Sequence, residues 1–312
     1  MKTFTQTKLS MSLSVLISTA LSTALATASF AQDKNKNWSI SAETGYLHDS
    51  QLTIAELDGT ASDQSDTALT LKVGADGKWQ LTENTQISAG YQYNQKQFQD
   101  TQTYDTQMHQ ANIASRYALG VYRLGARLDY ASIDLAEADL LDMTLLTLDI
   151  GRMLGDAVYL RGSTVLRDKS FADLSERDAQ AVTIGADVFY FINMSQYLTA
   201  SISHEDESAD NTRFDYTEGK LKASFTQKFT VFEQTAKAQV YYQYSDRDYA
   251  AYAVNPDEFR ADSKQTLGIQ YNHPLSQYFE MYGKIEHTKA QSNLSSADYD
   301  ENLASVNLKM HF

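Results

Sequence analysis

The chain has 312 residues, no Cys, 2 Pro, 20 Tyr and 13 Phe, and carries a formal charge of −14. The missing Cys excludes a disulfide scaffold and a thiolate metal site, and the acidity argues against nucleic acid as a partner. A mean hydropathy of −0.44 does not fit a bundle of membrane helices.

Residues 1–31 read as a cleaved secretory signal peptide. Lys2 and Lys8 make a positive start, Met11 to Ala26 form an apolar core, and Ser29-Phe30-Ala31 place small residues around a cleavage point. Removing them leaves 24 cations against 40 anions, a net of −16. No linker or low-complexity break follows, so residues 32–312 are expected to form one domain.

From Trp38 onward apolar residues recur at period 2 rather than 3.6. The first strand carries Trp38, Ile40, Ala42, Thr44 and Tyr46 on one face, and the second Leu69, Leu71, Val73 and Ala75. The clearest alternation is Tyr122, Leu124, Ala126, Leu128 and Tyr130 opposite Arg123, Gly125, Arg127 and Asp129. Similar stretches continue to Ala304, Val306, Leu308, Met310 and Phe312, where the chain stops on an aromatic. Fourteen strands result. Long polar loops are expected at His48–Ser65, Asp100–Asp105, Asp134–Asp142, Asp168–Asp178, His204–Asp215, Asp246–Asp262 and Lys289–Asp298, alternating with six short turns.

That rhythm points to an all-β fold: a single 14-stranded antiparallel transmembrane up-and-down β-barrel in the cell outer membrane, with short periplasmic turns and longer extracellular loops. Lipid offers no partner to backbone N–H and C=O groups, and a closed sheet pairs them internally. Tyr46, Tyr93, Tyr117, Tyr130, Tyr190, Tyr244 and Tyr271 suit an interfacial girdle. A soluble secreted sandwich or solenoid is the rival, but neither requires the long/short loop alternation.

If the apolar faces meet lipid, the other faces line the lumen. They carry Lys72, Arg116, Arg123, Arg127, Arg161, Arg167, Lys220, Lys222, Lys228, Lys237, Lys284 and Lys309. The acids there are Glu43, Asp129, Asp149, Asp187, Glu218, Glu280 and Glu286. Arg123, Arg127, Arg161, Arg167, Lys220, Lys222, Lys237 and Lys284 are the candidates for a selectivity wall favouring polar or anionic solutes, against the plainer reading of charges that pair and solvate a wall. The expected loops are acidic, with Glu205, Asp206 and Glu207 in one and Asp246, Asp248 and Asp262 in another. They could hold a divalent cation, though a solvated surface is the simpler reading. The six His are scattered, and no nucleophile, phosphate-binding or metal-ligand spacing occurs. Neither an enzyme nor a cofactor is expected.

The closing stretch, with Gln291-Ser292-Asn293, Tyr299-Asp300 and the run to Leu308, Met310 and Phe312, resembles outer-membrane barrel proteins of Gram-negative bacteria. The resemblance implies that Leu308, Met310 and Phe312 form the assembly signal read by the barrel-insertion machinery, with periplasmic chaperones, outer-membrane lipid and lipopolysaccharide as further partners. More narrowly, the strand count and this closing stretch are similar to the C-terminal barrel of surface lipoprotein assembly modifiers. That family usually carries a periplasmic helical-repeat domain before the barrel; here Trp38 opens the first strand soon after the expected signal. The leading expectation is a narrow porin-like channel for small polar or anionic solutes. The alternatives are a barrel assisting export or display of a surface lipoprotein, as the resemblance implies, and a structural or adhesive barrel acting through its acidic loops.

Overall fold

Fourteen antiparallel strands form one closed sheet in sequence order, β14 returning to pair with β1. They are β1 (Trp38–Asp49), β2 (Asp66–Gln80), β3 (Thr85–Phe98), β4 (Thr106–Leu119), β5 (Tyr122–Leu135), β6 (Ala138–Leu154) and β7 (Val158–Phe171). Next come β8 (Ala179–Phe191), β9 (Gln196–Ala209), β10 (Tyr216–Val231), β11 (Gln234–Asn255), β12 (Glu258–Pro274), β13 (Phe279–Ser292) and β14 (Tyr299–His311). The computed structural model describes residues 37–57, 62, 64–255 and 258–312; the expected signal, residues 1–31, lies outside the described residues. The seam runs from Ser41 opposite His311 to Asp49 opposite Leu303. Beyond it, the Phe312 N–H donates to the Ile40 carbonyl at 2.9 Å. Closure leaves no open edge, as hydrocarbon demands.

Contacts that skip a strand identify the concave side, because only there do alternate strands approach. Thr70 on β2 donates to Asn307 on β14 at 3.0 Å, passing over β1. Tyr241 on β11 reaches Glu286 on β13, and Arg167 on β7 meets Glu205 on β9 at 2.5 Å. Following the register from these residues puts Tyr46, Leu128, Val182, Ile202, Leu221 and Val240 on the convex side, where each stays between 46 and 62% exposed. Large apolar side chains left so open on every strand form a hydrocarbon-facing band. All seven Tyr of the expected girdle fall on this outward register.

Two expected long loops are absent. β5 and β6 meet at a two-residue turn, Ala136 and Glu137, with φ of 50° and 66°. β11 runs 22 residues to Asn255 and returns at Glu258. Above the bilayer both sheet faces are wet, so the strands continue after alternation has ended. Three of the remaining loops share one device. A single 3-10 turn ends on an Asp whose side chain accepts the N–H of the last residue of the preceding strand: Asp105 from Phe98 at 2.7 Å, Asp178 from Phe171 at 2.6 Å and Asp215 from Ala209 at 2.7 Å. Much of the loop acidity is therefore a clamp on loop shape.

Candidate functional site

The described part of loop L1 between β1 and β2, residues 50–57, 62, 64 and 65, turns into the barrel. Leu52 is 1% exposed and packs with Leu47, Ala68 and Phe98, with Tyr104 and Leu303 beside them. Burying a Leu side chain stabilises by about 1.5–3 kcal/mol, enough to fix the root of the loop. Leu52 also donates its N–H to Gln64 at 3.0 Å and accepts from the Ser62 N–H at 3.2 Å. Past this root a 3-10 turn, Ala55–Leu57, carries Glu56 across the lumen. Its carboxylate lies 3.3 Å from Lys169 Nζ on β7, on the far side of the barrel from β1 and β2.

Lys169 belongs to a continuous charged network on the wall from β7 to β11. It meets Glu207 at 3.0 Å. Arg167 bridges Glu205 at 2.5 Å and Glu207 at 3.8 Å. The Tyr216 hydroxyl sits between Glu205 at 2.8 Å and Glu207 at 3.0 Å. Glu218 holds Lys220 at 2.8 Å and Arg247 at 2.9 Å, and the Arg247 guanidinium lies 3.9 Å over the Tyr216 ring. Together with Glu56, all of these side chains except Glu218 line a cavity of about 210 Å³. On the other side of L1, a cavity of about 120 Å³ lies between Thr53, Arg247, Arg260, Asp262 and Tyr299. The extracellular half of the lumen is thus divided by L1. Among the described residues no group of three or more His, Asp or Glu is placed to hold a metal ion.

The eight candidate selectivity residues all fall on the inward register, but their surroundings differ. Arg167 and Lys220 join the network at the mouth. Arg127 forms a two-point pair with Asp129 at 2.6 and 2.7 Å. Arg161 meets Asp187 at 2.8 Å, and Lys284 meets Glu286. Lys222 lies 5.2 Å from the Tyr241 ring. Arg123 and Lys237 make no ion pair among the described residues, and Lys237 stands directly opposite Lys228. Leu308 is 42% exposed on the outward face of β14, the register shared by Met310, while Phe312 pairs with Ile40.

Sequence reasoning missed Glu56, Lys169, Arg247 and Arg260, and it placed Glu205, Glu207 and Asp262 in loops. Alternation among Arg167, Lys169, Glu205, Glu207, Tyr216 and Glu218 was the available signal. Each strand keeps its inward charged side chains past the point where its outward ones stop being apolar.

Residues 26–312 match the sequence profile of the surface lipoprotein assembly modifier family, and the chain belongs to that family. No curated protein matches the chain in sequence. Among solved structures, the barrel is similar to OmpT, an outer-membrane protein of Vibrio cholerae, with a TM-score of 0.54 at 8% identity over 89% of this chain and 99% of that one. An anion-selective porin from Comamonas acidovorans has a TM-score of 0.50 at 12% identity, covering 88% of this chain and 98% of the porin. These likenesses establish the shared outer-membrane barrel fold.

Proposed function

We propose that this member of the surface lipoprotein assembly modifier family serves the export or display of a lipoprotein at the cell surface, and is not an open diffusion pore. One observation carries the reading: L1 crosses the extracellular half of the lumen and is tied by Glu56 to Lys169 on the opposite wall. Freely diffusing solutes would meet that obstruction, whereas a barrel acting on a protein partner needs no standing aperture. The mouth network supports the same view, since its cations already face Glu56, Glu205, Glu207 and Glu218. The test is protease shaving of intact cells with and without the gene, followed by identification of lipoproteins. The expected result is at least one lipoprotein that stays in the outer membrane but loses protease accessibility when the gene is deleted. No change in any lipoprotein, together with ohmic single-channel conductance from purified barrel, would overturn the reading.

A second reading, a narrow channel for small polar or anionic solutes, is favoured by one feature. Arg123, Lys222, Lys228 and Lys237 face the lumen without ion pairs among the described residues. If L1 swings aside, this part of the wall would favour anions.

A further inference from the structure

Arg152 of β6 interrupts the apolar outer wall. It follows Leu146, Leu148 and Ile150 on the outward register, with Tyr122 of β5 on one side and Leu160 of β7 on the other. Among the described residues it is the only Lys or Arg on the outward register of the periplasmic half of the barrel. Inward-facing arginines nearby have acids, Asp129 for Arg127 and Asp187 for Arg161. No carboxylate among the described residues pairs with Arg152. Its Nη1 donates to the Tyr122 hydroxyl at 3.4 Å, its Cζ lies 5.5 Å from the centre of that ring, and its Nε has no hydrogen-bond partner. A charge on a lipid-facing wall is costly at the midplane and nearly free of cost at the interface. Arg152 stands one outward position short of the end of β6, beside the short turn from Leu154 to Val158, so its long side chain brings the guanidinium to the periplasmic interface.

One row toward mid-membrane, about 7 Å along the strand, Gly162 of β7 lies between Ile150 of β6 and Ala186 of β8. A Cβ at Gly162 would meet nothing within 4 Å. Glycine weakens a strand interior and often marks close approach of a ligand or another backbone. Gly162 and Ala186 therefore leave a hollow in the outer wall, flanked by Ile150 and Ile184, which are 48% and 64% exposed. An unpaired cation at the interface and an apolar hollow above it share one short stretch of β6 to β8. The bilayer is what covers this wall, and the periplasmic leaflet of an outer membrane is built of phospholipid.

From these placements we infer that Arg152 and Tyr122 hold the phosphate of one phospholipid of the periplasmic leaflet, with an acyl chain rising past Leu160 into the hollow over Gly162. The guanidinium presents a planar fork of donors that matches phosphate oxygens. The Tyr122 hydroxyl, accepting from Arg152, keeps its own proton to donate to the same phosphate. The contact reads the phosphodiester that every glycerophospholipid carries, and not the group beyond it.

The test is native mass spectrometry of detergent-extracted barrel titrated with phosphatidylethanolamine or with diacylglycerol of the same acyl chains. Heat-dependent gel mobility checks that each variant folds. Wild type is expected to retain the phospholipid in preference to diacylglycerol. Arg152→Gln lowers phospholipid retention about tenfold, the worth of one charge-assisted hydrogen bond, and leaves diacylglycerol unchanged. Gly162→Leu fills the hollow, removes a handful of close carbon–carbon contacts and lowers retention of both lipids about threefold. Lys289→Gln is the matched control, since Lys289 is the other outward-facing cation of the described strands but lies toward the extracellular loops, beside Asp300. It is expected to change neither. Unchanged phospholipid retention in Arg152→Gln or Gly162→Leu, an equal loss in Lys289→Gln, or equal retention of the two lipids by wild type would each overturn the inference.

Discussion

Glu56 and Lys169 meet at 3.3 Å across the lumen, although one rides on the loop between β1 and β2 and the other stands on β7. Lys169 is nearly buried, while Glu56 retains partial access to water. Lys169 also holds Glu207 at 3.0 Å, so the loop docks onto a lysine already fixed by the wall. The contact is a latch on L1 and a minor part of what holds the barrel closed.

Glu56→Gln and Glu56→Lys should therefore affect the pore far more than the fold. The unfolding free energy should change by less than ~1 kcal/mol, since the pair is partly exposed and Lys169 keeps Glu207. Conductance in planar bilayers should rise from wild type to Glu56→Gln and again to Glu56→Lys, where repulsion from Lys169 drives L1 off the wall. Equal conductance in all three would mean that L1 does not gate the lumen.

At the tip of the β11–β12 hairpin, well outside the membrane, Asn293 donates to Glu258 at 3.0 Å and Asn255 donates to it at 3.2 Å. These amides, Asn293 first, hold the Glu258 carboxyl below its ordinary value of 4.5. A lowered acid stabilises the folded form above its unfolded pKa, and that contribution is lost as pH falls through the folded value. Amide exchange around Glu258 and Asn293 should accelerate only as the pH drops below the ordinary glutamate range. In Asn293→Ala the Glu258 titration, followed by isotope-edited infrared, should move upward toward 4.5.

The membrane part of this architecture is legible because hydrocarbon imposes a rule on every second residue. Leu128, Val240 and Leu308 announce the outward face, and Arg123, Arg127 and Lys222 follow onto the inward one by parity. Above the bilayer that rule lapses. Asp134 and Asp142, or Asp246 and Asp262, look like loop residues because the outward neighbours there are polar too, yet the ladder continues through them. The tight turn at Ala136-Glu137 lacks the Asn-Gly or Asp-Gly pair that usually signals two positive φ values. The Glu56–Lys169 contact joins positions 113 apart in sequence across open lumen, and no local pattern encodes it.

Gly268 and Gly219 should respond oppositely to the same substitution. Gly268→Leu would displace the Tyr241 ring and cost Tyr241 its bond to Glu286, leaving that half-buried carboxylate with Lys284 alone. Overpacking of this kind destabilises by about 1–3 kcal/mol. Gly219→Leu, entering open space, should leave unfolding in urea within ~0.5 kcal/mol of wild type. Similar losses in both would show that β-strand glycine matters here for backbone reasons and not for the space it leaves.

Neutralising the unpaired wall separates the two functional readings. Lys237 and Lys228 face each other across β10 and β11, a like-charge pair that ordinarily disfavours strand pairing. Arg123→Gln, Lys222→Gln and Lys237→Gln together should thus be neutral or slightly stabilising to the fold. If the lumen passes anions when L1 is released, the triple variant in the Glu56→Lys background should shift the reversal potential in a salt gradient toward cation preference. Arg127→Gln would be a poor substitute, because it strips Asp129 of its two-point partner and adds an uncompensated carboxylate to the wall. A reversal potential unmoved by the triple change would leave these cations as solvated wall residues, and surface display of the lipoprotein should then be unaffected by them as well.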